Sequence, residues 1–334
     1  MAASDDRARR VLVVGGTGFI GGRLVARLRA AGVTVRCLVR NPYAARRLRA
    51  QSIEAVFGDL TAPDTLQAAL DRVGTVLNLS TIIREHERGD FRRVLHDGVR
   101  NLLRAAAAAG VARFVQIGAL GDAAARGNPR HSYLYWKEKG AALVDASDLD
   151  ATVIETSVVF GPGDQHFTAI ALTLKWLPCF FIPDGAACTT IFQPIHVDDV
   201  VACVLRALDG GGELPRRVPV AGPERLTYEG IVRTIASLIG RTPRFVRVSP
   251  RITRAALRGI GAAMRYEPVT EPLMDLVGVD SIAEPNGIAD VFGITPRPLT
   301  ERAAYLQAVG LPELAAWVRK RPRHGIFVVD QDVS

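Results

Sequence analysis

The most constraining feature of this 334-residue chain is the stretch Gly15-Gly16-Thr17-Gly18-Phe19-Ile20-Gly21, which directly follows an apolar run at 11–14. A short β-branched apolar run reads as a parallel strand buried on both faces. Beyond the glycines, Leu24, Val25, Leu28 and Ala31 recur at helical spacing, so residues 19–31 read as a helix. Between strand and helix the glycines are spaced Gly15-x-x-Gly18-x-x-Gly21. Gly15 permits a sharp turn, Gly18 lets a pyrophosphate approach the backbone, and Gly21 lets the helix pack close to the strand. The helix N-terminus adds free N–H groups and the positive end of its dipole. Gly15, Thr17, Gly18, Phe19, Ile20 and Gly21 are therefore the candidate phosphate-loop contacts.

The pattern that follows alternates regularly. Strands are expected at 34–39, 54–57, 75–79, 113–117 and 152–159, and helices at 43–51, 63–72, 91–109 (closed by Gly110) and 132–147. Such alternation requires parallel strands with helical crossovers, hence a Rossmann-type, doubly wound α/β sheet. Regularity fades in the second half. A short strand and a helix are expected within 193–208 and a strand at 217–220. Further helices are expected at 227–239, 252–264, 299–308 and 314–320. The expected division is a dinucleotide-binding Rossmann domain over 10–165, with 192–208 returning to it. A smaller C-terminal α/β lobe over 166–334 would cover the cleft.

Composition narrows the function classes. Hydrophobic content of 48% with 23% charged residues describes a globular chain. The net charge of +8 arises from 42 Lys and Arg, mostly Arg. It suits an anionic ligand or a membrane surface, and equally an Arg-rich proteome. No basic block is interleaved with aromatics, which argues against nucleic acid. Cys37, Cys179, Cys188 and Cys203 form no C-x-x-C pair and fit a reducing compartment. The polar first ten residues do not look like a signal peptide. The apolar stretch 170–183 contains Lys175 and two prolines and is too short to span a bilayer. A cytoplasmic location is expected, soluble or peripheral on the cytoplasmic membrane face. His86, His96, His131, His166 and His196 show no metal-ligand spacing, so no metal is expected; His196, beside Asp198 and Asp199, is expected to help join the lobes.

Dinucleotide sites usually place an acidic residue at the end of the second strand to hold the ribose hydroxyls. Here that strand ends in Leu38-Val39-Arg40. The planar fork of Arg40 can pair with a 2′-phosphate, which favours NADP(H) over NAD(H). Asp59, followed by Leu60 after the third strand, is placed to accept from the adenine amino group. Leu79, Ser80 and Thr81 at the end of the fourth strand, and Thr156, Ser157 and Val158 near the end of the sixth, complete the candidate cofactor-binding set.

The candidate chemistry lies in Ser132-Tyr133-Leu134-Tyr135-Trp136-Lys137. Tyr133 and Lys137 are four apart on an expected helix and so share a face. An adjacent ammonium lowers a phenol pKa, making Tyr133 a usable general acid/base, and Lys137 can hydrogen-bond the nicotinamide ribose.

Taken in order, the glycine triplet, Gly58-Asp59-Leu60, Tyr133/Lys137, Phe160-Gly161-Pro162 and the segment from Gln193 to Val200 resemble the extended or atypical branch of the short-chain dehydrogenase/reductase superfamily. Within that branch, residues 113–121, the Tyr-Leu-Tyr-Trp-Lys helix start and the late Asp290-to-Pro296 segment are similar to NDUFA9-like proteins, the accessory-subunit group of respiratory complex I. The resemblance implies tight NADPH binding and a stabilising role in an assembly. It also exposes a departure. Catalytic relatives end the strand before the Tyr helix in Ser or Thr, which hydrogen-bonds the substrate oxygen; here Gly118 and Ala119 occupy those places. Losing such a donor costs about 10²–10³ in rate.

Arg251, Arg254, Arg258 and Arg265 fall on one face of the helix expected over 251–265, a cationic surface suited to an anionic membrane or to partner subunits of a membrane complex. Two functions follow as expectations. One is a nucleotide-binding accessory protein, non-catalytic or weakly catalytic, docked to a membrane-associated assembly such as complex I. The other is an NADP(H)-dependent reductase, dehydrogenase or epimerase of a small carbonyl, isoprenoid or sugar-nucleotide substrate.

Overall fold

The computed structural model describes residues 10–121, 123–129, 132–208, 214–249, 252 and 278–310. The first six strands are β1 (Arg10–Val14), β2 (Thr34–Val39), β3 (Glu54–Phe57), β4 (Thr75–Asn78), β5 (Arg113–Ala119) and β6 (Asp150–Thr156). The second half adds β7 (Val159–Phe160), β8 (Cys179–Pro183), β9 (Ile191–Phe192), β10 (Ile195–His196), β11 (Arg217–Val220), β12 (Leu226–Thr227) and β13 (Arg244–Val248). Between the first six strands lie α1 (Phe19–Ala30), α2 (Pro42–Ala50), α3 (Leu66–Leu70), α4 (Gly98–Ala108), α5 (Ala123–Gly127) and α6 (Ser132–Asp145). Later come α7 (His166–Trp176), α8 (Ala186–Thr189), α9 (Val197–Leu208), α10 (Tyr228–Leu238), α11 (Gly287–Asp290), α12 (Leu299–Arg302) and α13 (Tyr305–Ala308).

Seven of these strands form one sheet in the order β11-β6-β5-β4-β1-β2-β3, with every neighbouring pair parallel. The chain leaves β1 toward β2 and β3, then crosses back to β4, so the order reverses between β1 and β4. Ligands of such sheets bind outside the carboxyl ends of the strands at that reversal. Alternation along β1 explains the two helical layers. Val11 and Val13 face Leu24 and Leu28 of α1 and Val200 and Val204 of α9. Leu12 and Val14 face Leu102 of α4 and Ala141 and Val144 of α6.

The second half returns to this sheet more extensively than 192–208. β11 pairs with β6, and Ile288 and Phe292 join the same core as β1. What remains packs around a separate core of Phe160, Phe167, Phe180, Ile231, Ile235 and Leu306. Its apolar run 170–183 is divided between α7 and β8. Leu177, held extended (φ −109°, ψ 138°) by Pro178, is where the helix stops.

Local chemistry sets several boundaries. Asn41 caps α2 by accepting from Tyr43 N at 2.7 Å, with Pro42 in the first turn. The helix expected over 63–72 is shorter, a 3₁₀ turn at Pro63–Thr65 followed by α3. The buried Arg36 guanidinium takes its last carbonyls, donating to Ala69 O at 2.9 Å and Asp71 O at 2.8 Å. The long helix before β5 runs from Asp90 but widens into a π-helical turn over Arg92–Asp97 before α4 begins. That turn presses its Leu95 carbonyl onto α6, where a Cβ on Gly140 would lie 2.1 Å from Leu95 O.

Gly140→Ala is therefore expected to cost about 1–3 kcal/mol by overpacking, read as a lowered midpoint of denaturant unfolding. Gly127→Ala, whose Cβ would meet nothing within 4 Å, is the neutral control.

Candidate functional site

The glycine turn has the geometry its spacing requires. Gly15 adopts φ +83°, and Gly18 N donates to Gly15 O at 3.0 Å. A Cβ on Gly21 would stand 2.1 Å from Gly15 O, and one on Gly15 would meet the Leu79 backbone at 3.0 Å. Gly18 is exposed and begins α1 with no side-chain cap and no acidic residue in the first turn. Its own N–H is taken by Gly15 O, but the N–H groups of the first turn beyond it have no side-chain cap and stay available to an anion, as a dinucleotide pyrophosphate requires. Thr17, Phe19 and Ile20 are half-buried around it, and Ile20 leans on the core under β1.

At the adenosine end, Arg40 is exposed beyond β2, its Nη1 3.7 Å from Asp59 Oδ2. The other Asp59 oxygen accepts from Thr61 N at 2.8 Å and Thr61 Oγ1 at 2.9 Å. Asp59 therefore has a turn-forming oxygen and one facing Arg40. Leu60 is buried in the second core, so its side chain is a packing group.

Across the switch point, Leu79 N donates to Val14 O at 2.9 Å, fixing the chain after β4 against β1. Ser80 is tethered as well. Its N–H and its hydroxyl both donate to Asn78 Oδ1, at 3.2 and 2.6 Å, and Asn78 Nδ2 donates to Gln116 Oε1 at 2.9 Å. Asn78 and Gln116 are buried and face each other in the β4–β5 register. Neither was singled out from sequence; the available signal was an amide residue between apolar ones in each stretch, Leu77-Asn78-Leu79 and Val115-Gln116-Ile117. Thr81 next to them is exposed, with Oγ1 3.5 Å from Tyr133 Oη.

Helix α6 brings Tyr133 and Lys137 to the ends of β4 and β5. The Tyr133 ring meets Phe91 edge-on, with centroids 5.9 Å apart. Buried Lys137 donates to Ile117 O at 3.0 Å, and burial pushes its ammonium pKa down to about 8. The expected lowering of the Tyr133 phenol is not found. Burial raises it, opposed only by the Thr81 contact, because the Lys137 ammonium is turned onto the Ile117 carbonyl. At the two positions lacking a hydroxyl, a Cβ on Gly118 would lie 2.9 Å from Val153 Cγ1 and 3.0 Å from Glu155 Cγ, so that position is filled by β6. Ala119 is the one beside the site: like Tyr133, it packs on the cluster of Ala125, Leu134 and Val279.

Thr156, Ser157 and Val158 form a seam with the second half of the chain. The Ser157 hydroxyl donates to Ser281 O at 2.8 Å and accepts from Gln193 N at 3.3 Å, while half-buried Val158 joins the lobe core. The Ser157 hydroxyl is thus spent within the protein, as is its N–H, which donates to Val220 O at 3.3 Å. A second seam joins α1 to the turn after β7. Arg23 donates to Asp198 Oδ1 at 3.1 Å and to Pro162 O at 2.9 Å. Asp198 N donates to Nδ1 of buried His196, whose pKa burial lowers to about 4. Among the described residues no cluster could hold a metal, and no helix is long and apolar enough to cross a membrane. Apart from Ile252, the basic segment 251–265 lies outside the described residues.

Comparison with known proteins agrees with this geometry. A family model described as NAD(P)H-binding matches residues 15–165. Ceramide reductase of Caulobacter vibrioides is 30% identical over 254 residues, 74% of this chain and 75% of that protein. This chain belongs to the NAD(P)H-binding, extended short-chain dehydrogenase/reductase family. Its relatives include the mitochondrial NADH dehydrogenase [ubiquinone] 1 alpha subcomplex subunit 9 of Arabidopsis thaliana, 26% identical over 280 residues, 81% of this chain and 68% of that one. The fold of the Escherichia coli NADPH-dependent quinone oxidoreductase superposes with a TM-score of 0.69 at 20% identity, covering 89% of this chain and 99% of that one.

The NAD(P)H-binding match begins at Gly15, and the 2.1 Å approach at Gly21 makes a sharp test of whether this turn holds the dinucleotide. Gly21→Ala is expected to weaken NADPH binding at least about tenfold in a fluorescence titration by shifting α1 off the turn.

Proposed function

We propose that this family member is an NADP(H)-dependent reductase of a carbonyl-type acceptor, with Tyr133 as proton donor. The observation that carries this is the position of the Tyr133 hydroxyl, set beside a second hydroxyl at the carboxyl ends of β4 and β5, next to the strand-order reversal. A bound reduced dinucleotide supplies the hydride. Burial keeps the Tyr133 phenol protonated at neutral pH, the state a proton donor must start from. Lys137 sits one helical turn along the same face and is mostly charged below pH 8, suited to hold the ribose hydroxyls. The ceramide reductase relative is named for a reduction.

The NADP(H) preference belongs to the same proposal. The Arg40–Asp59 pair is solvent-exposed and 3.7 Å long, hence weak, so a 2′-phosphate can recruit the guanidinium. Arg40→Ala is expected to weaken NADPH binding about tenfold and to leave NADH binding nearly unchanged, measured by parallel titrations. Equal losses would remove the preference.

A second function, a nucleotide-holding accessory protein docked to a membrane-associated assembly such as complex I, is favoured by a different observation. Trp176, Leu177, Phe181 and Val246 are exposed, and Phe181 and Val246 are register partners on the β8–β13 pair. Exposed apolar patches of this kind mark docking surfaces. The Arabidopsis relative is named as a subunit of NADH dehydrogenase. Native gels separate the two functions when combined with NADPH-oxidation assays. Migration in a large particle with no turnover supports the accessory role; a small species whose turnover Tyr133→Phe lowers about 10²–10⁴-fold supports the reductase.

The reductase also has a defined pH limb. The folded Lys137 pKa is depressed, so its ammonium is present below about 8 and lost above it. For the free enzyme kcat/KM is expected to fall as pH rises through about 8, and Lys137→Met is expected to abolish that limb at a lower overall rate.

A further inference from the structure

We propose that Thr81 supplies the substrate-oxygen hydrogen bond that the end of β5 lacks, so that Thr81 and Tyr133 form a two-hydroxyl recess for one uncharged carbonyl or quinone oxygen. The inference rests on the reductase reading and names the substrate class of that same site.

Three observations support it. First, β5 has no means of donating: position 118 has no room for a side chain, and position 119 carries a methyl group beside Tyr133. Second, Thr81 Oγ1 and Tyr133 Oη are 3.5 Å apart. A strong O–H···O bond needs about 2.7–2.8 Å, so the two hydroxyls bind each other poorly. Yet an oxygen about 2.8 Å from each fits between them and can accept from both. Third, the loop holding Thr81 is anchored. Leu79 is bonded to β1 and Ser80 is held by the Asn78–Gln116 pair, so Thr81 is positioned by the strands beneath it. The Ser80 hydroxyl proton is spent on Asn78, which leaves Thr81 as the donor of this loop.

Among the described residues the surroundings of Tyr133 are apolar: its ring meets Phe91, it packs with Ala119 on the cluster of Ala125, Leu134 and Val279, and the nearby Lys137 ammonium is turned onto Ile117 O. An uncharged acceptor suits the recess better than an anion. In the reaction, the carbonyl π bond breaks as its carbon gains a hydride from the reduced nicotinamide. The oxygen takes the proton of Tyr133, while Thr81 stabilises the growing negative charge and keeps its own proton. The phenolate is reprotonated from water.

The test uses the full chain with NADPH, and menadione and cyclohexanone as probes. Thr81→Val is expected to lower kcat on the order of 10²-fold, a loss well beyond any change in NADPH affinity by fluorescence titration, which separates an effect on the substrate oxygen from one on cofactor binding. Thr81→Ser keeps the rate. Ala119→Ser added to Thr81→Val restores most of the loss, because it returns a hydroxyl to the end of β5; a packing role for Thr81 predicts no rescue from another strand. A readout independent of turnover is the Tyr133 phenol pKa by NMR of ring-labelled protein, expected to rise in Thr81→Val since the Thr81 contact lowers it. Wild-type kcat in Thr81→Val, or no rescue by Ala119→Ser, overturns this proposal and leaves the reductase standing. A wild-type chain that binds NADPH but reduces neither probe overturns both.

Discussion

Everything at the site depends on a contact with no side chain in it. The carbonyl of Gly15 and the backbone of Gly21 approach so closely that a single methyl at Gly21 would sit 2.1 Å from that oxygen. This contact sets the N-terminus of α1 directly over the end of β1. It also places the uncapped first turn of α1 in the crevice where the strand order reverses. The reversal brings β4 beside β1, and β5 beside β4. Each strand then delivers one polar element to the same mouth: the glycine turn, the Ser80–Thr81 loop and, through α6, the Tyr133–Lys137 face.

Buried polar pairs hold these elements in place where apolar packing alone would leave freedom. Asn78 and Gln116 satisfy each other across the β4–β5 register and spend one carbonyl on Ser80. On the far side of β5, Glu155 lies between Arg126 (2.7 Å) and Arg217 (3.2 Å), and both arginines also reach Glu138 of α6. Burial raises the Glu155 pKa against those two cations, so its charge depends on them. The network ties α5, α6, β6 and β11 together and thereby fixes the helix that carries Tyr133.

The second half of the chain is fastened to this frame by polar seams. Ser157, Gln193 and Ser281 link the end of β6 to the returning chain, and Gln193 also donates to Gly222 O at 2.8 Å. Asp164, at the turn after β7, accepts from Phe167 N at 2.7 Å and from the Tyr305 hydroxyl. Burial raises its pKa to about 6 despite these donors. A seam built of directional bonds fixes how the C-terminal lobe meets the sheet, which nonspecific apolar contact would not.

The sequence by itself determined the first half of the fold and the kind of ligand. A continuous apolar run, a glycine triplet and a 3.6-period helix are local patterns, each legible within a few residues. The bounds of β2, β3 and β11 were legible on that basis. Tyr133 and Lys137 were legible as a pair because helical spacing alone puts them on one face. Tertiary structure decided what lies opposite them. The division of 170–183 into α7 and β8 depends on which core each half reaches, and the returns of β11 and α11 to the sheet depend on contacts more than 60 residues apart in sequence. The Tyr133 pKa shift runs opposite to the expectation for the same reason: spacing places an ammonium near a phenol, but only the packed fold turns that ammonium onto Ile117 and desolvates the phenol. Thr81 reaches Tyr133 across 52 residues, by way of a strand pairing that no local pattern encodes.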